Sequence, residues 1–186
     1  MPIEREDKEK IEVIKIYKKD PYVMEKIKQS KPIYKGFLNK TEFEQVLVFP
    51  WNTHWGLFRM IKERRWCESK HSLNAFEVKD AAMAFLNHKI ELDEYCNKNG
   101  FDDFVKLNEL RGSILNRGYI DESKQFLVYE AINKSGFYCI DQHHRFIAYE
   151  SLLLEGKITF KPLNCFFGEI KSINDLMKGH KRDMLL

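Results

Sequence analysis

The segment from Phe126 to Phe167 switches its hydrophobic period along its length, and this limits the folds open to the chain more than any other feature. Phe126 to Ile132 and Phe137 to Ile140 are short runs rich in aromatic and β-branched residues, so they read as strands. Between them Asn133-Lys134-Ser135-Gly136 suits a hairpin turn. Asp141 closes the second strand. His143 to Glu155, with Ile147, Leu152, Leu153 and Leu154 apolar, reads as a helix stopped by Gly156. Ile158 to Phe167 is apolar again, and Pro162 suggests an edge strand or a bulge there. Such an order implies an α/β (α+β) domain with helices packed on a small mixed sheet.

Upstream the pattern is more helical. Phe104, Leu107, Leu110, Ile114 and Leu115 recur at helical spacing and Gly118 follows, which predicts a helix from about Phe101. Ala81 to Leu86 reads as helix, and Thr53 suits the cap of another running through Leu57, Met60 and Ile61 to Arg65. Trp66 to Asn74 reads as loop, and Gln45 to Phe49, closed by Pro50, as a buried strand. Glu4 to Lys19 carries Ile11, Ile14 and Ile16 among charges, and Asp20-Pro21 reads as the start of a second short helix ending near Gln29. The expected organisation is a helical extension over residues 1–40, then one domain over 41–186 with a helical insertion at about 57–98.

Composition narrows the class. A chain of 186 residues, 44% hydrophobic and 32% charged, is that of a globular domain able to bury its own core. A formal charge of +3 falls short of the dense positive field that nucleic-acid binding usually requires. The charged stretch from Met1 to Lys10 reads as neither secretory signal nor membrane anchor, and no run approaches a membrane span. Cys67, Cys96, Cys139 and Cys165 are scattered without a CxxC pair, which points away from a zinc ribbon and toward a reducing cytoplasm.

The residues that could carry chemistry cluster at the strand-to-helix junction. Asp141, Gln142, His143, His144 and Arg145 stand where a helix N-terminus favours an anion. Arg145 offers a forked donor matched to phosphate, and His143 or His144 could donate to the same group or move a proton near neutral pH. Asp141 would meet a metal ion carried by a nucleotide, or accept a proton from a hydroxyl. A plainer reading stands beside this one: a solvated turn in which Asp141 caps the helix and pairs with Arg145. Adjacent histidines without a third ligand at a suitable spacing do not make a protein metal site.

The run Leu110-Arg-Gly-Ser113-Ile114, then Gly118, a strand, a turn, Tyr138-Cys-Ile-Asp141-Gln-His-His-Arg145, Ala148 and a closing strand resembles the ParB/sulfiredoxin superfamily over about residues 101–168. The loop is most similar to the Asp-Gly-His-His-Arg loop of the free serine kinases. That resemblance implies a nucleotide-dependent phosphotransferase or nucleotide hydrolase, using ATP or ADP with Mg and an unknown acceptor. Gln142, His143, His144, Arg145 and Ser113 would hold nucleotide phosphates, with Asp141 and His144 catalytic. Gln142 stands where those kinases have glycine, and His143 where sulfiredoxins place their reactive cysteine, so sulfinic-acid repair is not expected.

The kinases also take an acidic base from an early loop, which no motif locates here. If Gln45 to Phe49 is the family's first strand, Pro50 to His54 is the loop beside the site and His54 and Arg59 become candidates; Glu109 and Arg111 are further candidates on the Ser-Ile helix. The alternatives are a ParB-like DNA-associated protein or nuclease, and a non-catalytic binding domain. The DNA reading expects a helix-turn-helix after the domain, for which Glu169 to Leu186 are too few. Its other support, the cluster Lys178, His180, Lys181 and Arg182, equally suits a solvated tail.

Overall fold

A computed structural model describes residues 12, 15, 24, 25, 27, 31–48, 56–68, 75–118, 126–131, 136–139 and 142–170. Thr53, His54, Asp141, the turn at 133–135 and the basic cluster after Ile170 lie outside these residues. The fold is mixed α/β: six strands form one sheet in the order β1-β6-β4-β5-β2-β3. The strands are β1 (Lys31–Leu38), β2 (Leu47–Val48), β3 (Phe76–Glu77), β4 (Phe126–Ala131), β5 (Phe137–Cys139) and β6 (Leu163–Ile170). The helices are α1 (Lys40–Glu44), α2 (Gly56–Arg64), α3 (Val78–Asn87), α4 (Lys89–Asn99), α5 (Asp103–Arg117) and α6 (His143–Leu154).

β4 and β5 pair antiparallel, and β6 returns parallel to β4 after α6. β2 lies parallel to β5, with β3 antiparallel at one edge, and β1 is antiparallel to β6 at the other. α6 packs between α3 and α5. Its inward residues Phe146, Ile147 and Leu152 are fully buried. Phe43 of α1 meets Phe146 and Tyr149 at ring-centroid distances of 5.3 and 5.5 Å. Burying a side chain of that size contributes roughly 1.5–3 kcal/mol, so these contacts fix where the first turn of α6 points.

Three expectations are corrected. Residues 1–40 are not wholly a helical extension: Glu12, Lys15, Met24, Glu25 and Ile27 are helical, but Lys31–Leu38 is the edge strand β1. Tyr34 and Phe37 are exposed and lysine alternates with them, so no buried-face pattern marks this strand; pairing with β6 creates it. The stacking of Tyr34 on Phe167 and the bare backbone of Gly36, where a Cβ would come within 2.9 Å of Phe167, show how closely β1 is laid down. β6, in turn, is flanked on both sides and is no edge strand. It begins at Leu163 because Pro162, lacking an N–H, stays outside the ladder. The stretch at 57–98 holds α2, α3 and α4 but also β3, so it contributes to the sheet as well as to the helical layer.

Candidate functional site

Three helices meet around one carboxylate. Asp103, the first residue of α5, is buried at 1% exposure. Its Oδ2 accepts the backbone N–H of Gly56, the first residue of α2, at 2.5 Å. Its Oδ1 accepts the Nε2–H of His144, in the first turn of α6, at 2.6 Å. The starts of α5 and α6 present the positive ends of their dipoles, and Asp103 is the anion that ties them to α2. Gly56 has no room for a side chain: a Cβ would lie 2.9 Å from Cys96 Sγ, 3.2 Å from Asp103 Oδ2 and 3.2 Å from Phe101 Cβ.

His144 is partly open, its side chain 16% exposed. Asp103 sets the orientation of its ring and fixes the proton on Nε2. Arg145 follows it, half-buried, with Nη1 donating to Gln142 Oε1 at 3.1 Å. Among the described residues no carboxylate pairs with Arg145. Gln142 caps α6 in the left-handed region at φ +65 and ψ 28, the conformation for which glycine is the ordinary choice. The backbone thus takes a shape that glycine adopts freely, and the side chain braces Arg145.

His143 does not join them. It is 2% exposed, and its Nε2–H donates to the carbonyl of Cys139 at 2.9 Å. Burial pushes its pKa down to about 3, so it is a neutral imidazole tying α6 to β5, and its expected role as a phosphate ligand is corrected. Sequence already held the sign: His143 precedes Phe146 and Ile147 by three and four residues, which places it on the apolar face of α6.

The candidates on α5 stand apart from the junction. Glu109 and Ser113 are exposed and lie about 9 and 15 Å along the helix axis from Asp103. Arg111 is buried and clamps α5 to α6: Nη1 donates to Ser151 Oγ, Nη2 to Glu155 Oε2 at 2.5 Å, and the guanidinium lies over the Phe85 ring. Burial alone would raise the Glu155 carboxyl, but hydrogen bonds from Arg111, Lys157 and Lys89 hold it at about 2. These side chains build the scaffold under the site. Arg59, by contrast, is exposed on α2 with its guanidinium 5.5 Å above Phe101, two residues before Asp103, so it is brought to the rim of the junction.

Asp103 itself was missed by sequence reasoning. The pair Asp102-Asp103 at a helix start reads as ordinary dipole compensation, and nothing local tells which of the two turns inward. Asp102 stays exposed and pairs with Lys106 at 2.7 Å. No group of described residues is arranged to hold a metal ion by itself. The thiols offer no nucleophile in the site: Cys139 is buried, and burial pushes Cys67 to about 12, Cys96 to about 11 and Cys165 further up. No described helix is long and apolar enough to cross a membrane. Comparison with protein-family models, curated proteins and solved structures returns no match to this chain.

Proposed function

We propose that the chain is a nucleotide-binding protein of ParB/sulfiredoxin-like fold that acts as a nucleotide-dependent phosphotransferase or nucleotide hydrolase. The phosphates of ATP or ADP, carried with Mg, sit at the start of α6 against Arg145 and His144. The observation that carries this reading is the short bond from His144 to buried Asp103 beside an arginine that has no carboxylate partner among the described residues. A plain solvated turn would spend its arginine on a nearby acid and leave its histidine to water. Here the histidine is fixed by an acid from another helix, and the arginine donates to a neutral amide with no carboxylate beside it among the described residues.

The starts of α5 and α6, the Arg145 guanidinium and the His144 ring suit the charge that spreads over a transferring phosphoryl group, where positioning and electrostatics do most of the work. His144 supplies proton transfer or charge stabilisation and Asp103 positions it. Arg59, on the rim, is the side chain placed to follow the nucleotide outward. The magnesium ion would come with the nucleotide and neutralise its phosphate charge.

Thermal unfolding with ATP, ADP or CTP, each with magnesium, tests the reading. At a nucleotide concentration about a hundredfold above Kd, stabilisation of about 2.7 kcal/mol should raise Tm by roughly 5–10 °C. Arg145→Ala and His144→Ala should lose most of that rise, while Ser113→Ala keeps it. If none of the three nucleotides moves Tm of the unmodified chain, the reading is wrong.

A further inference from the structure

Glu150, on the inward side of α6, is the charged residue that stands out among those described. It is fully buried, and neither carboxylate oxygen has a hydrogen-bond partner among the described residues. Phe146 and Ile147, one turn earlier on the same helix, are equally buried. From α1 Glu44 and Lys40 face it, and from α3 Lys79. Both lysines are already engaged by Glu44, Lys79 at 3.4 Å and Lys40 at 3.6 Å. The charged group that α5 turns toward α6 in this region, Arg111, is taken up by Ser151 and Glu155. An ionised carboxylate so enclosed lacks both water and a partner, and that is the costliest state a glutamate can occupy.

We propose that Glu150 is a buried proton-binding site that couples the seating of α1 on α3 and α6 to pH. When it holds a proton the side chain is neutral, and Glu44 keeps both lysines, tying α1 to α3. When the proton leaves to solvent, the carboxylate competes with Glu44 for Lys79, and the tie loosens. Burial first, and then the charge of Glu44, push the Glu150 carboxyl up to about 7 against the pull of Lys79 and Lys40. The change therefore falls near neutrality. α6 also carries His144 and Arg145 in its first turn.

A carboxyl whose pKa rises on folding favours the folded state fully below the ordinary glutamate value, and that contribution is lost as pH climbs through about 7. His143 acts in the opposite sense over a lower range, because its buried ring stays neutral down to about 3. The difference between the unmodified chain and Glu150→Gln separates the two. Tm of the variant minus that of the unmodified chain should rise by roughly 5 °C or more between about pH 4.5 and about pH 8.5. Hydrogen exchange at the amides of Lys40–Glu44, corrected for its intrinsic pH dependence, should quicken over the same interval in the unmodified chain and not in the variant. A Tm difference independent of pH would overturn the proposal. Should Glu150→Gln fail to fold, the carboxyl carbon of Glu150 can be titrated by NMR in the unmodified chain. A midpoint of about 6–8 supports the proposal and one below about 5 rejects it.

Discussion

Asp103→Ala is expected to cost about 3–5 kcal/mol of folding stability and, on the proposed reading, to abolish nucleotide binding in whatever protein still folds. The carboxylate joins α2, α5 and α6 through two bonds, from Gly56 N–H and from His144. Alanine removes both acceptors at once and leaves a buried backbone donor and an imidazole nitrogen facing each other across a small void. Each orphaned group carries about 1–3 kcal/mol of desolvation cost, and the charge-assisted bond to His144 lies at the upper end. In a chain of this size the loss lowers Tm by roughly 10 °C. Asp103→Asn preserves shape but puts an NH2 group toward one of the two donors, so an intermediate cost of about 1–3 kcal/mol follows. Urea unfolding measures both. In a double-mutant cycle with His144→Ala, a coupling energy of at least about 1 kcal/mol is expected. An Asp103→Ala protein as stable as the parent would remove the basis for treating this junction as built.

How far the fold can be read from the chain depends on where each element's stabilisation comes from. α5 and α6 bury one face of a regular helix, and their apolar spacing and terminal glycines locate them to within a residue or two. The β4–β5 hairpin is equally local. β1 is different. Tyr34, Lys35 and Phe37 are exposed, the strand character is imposed by β6 from the far end of the chain, and no period in Lys31–Leu38 records that partner. The short helix after it did carry a local mark. Asn39 and Glu42 form a capping box, with Glu42 N–H donating to Asn39 Oδ1 at 3.0 Å and Asn39 N–H to Glu42 Oε2 at 2.9 Å.

The candidate site divides along the same line. Its position at the start of α6 follows from a strand, a polar loop and a helix in succession, all short-range features. The division of labour between adjacent histidines follows from their separation by about 100° around the helix, so one faces the core and the other the junction. What no short-range pattern contains is Asp103, because its importance arises from α2 and α6 arriving at the same place from 47 residues before it and 41 after it. Arg111 illustrates the converse error. An arginine on a helix near a polar, cationic loop invites a binding role, yet the packing of α5 on α6 places it against Phe85 and Glu155, where it serves the interior.

Gly168→Ala and Gly112→Ala, the same chemical change, are expected to act with opposite signs. Gly168 stands in β6 opposite Tyr129 of β4 in the parallel register. A Cβ there would lie 2.6 Å from Cε1, 2.9 Å from Cδ1 and 3.1 Å from Cζ of the Tyr129 ring, which is itself fully buried. An aromatic ring enclosed by close-packed neighbours cannot move by the required ångström without displacing them, so overpacking of about 2–3 kcal/mol follows. Gly112 lies inside α5 with nothing within 4 Å of an added Cβ, and alanine there should stabilise by about 0.5–1 kcal/mol through helix propensity alone. Chemical unfolding of the two variants gives the comparison directly. Combining Gly168→Ala with Tyr129→Leu supplies the mechanism: if the clash with the ring is the cause, the alanine costs less by at least about 1 kcal/mol in the leucine background. An unchanged cost there would place the defect in the β6 backbone, and a harmless Gly168→Ala would mean that β4 and β6 do not approach as closely as the Tyr129 ring requires.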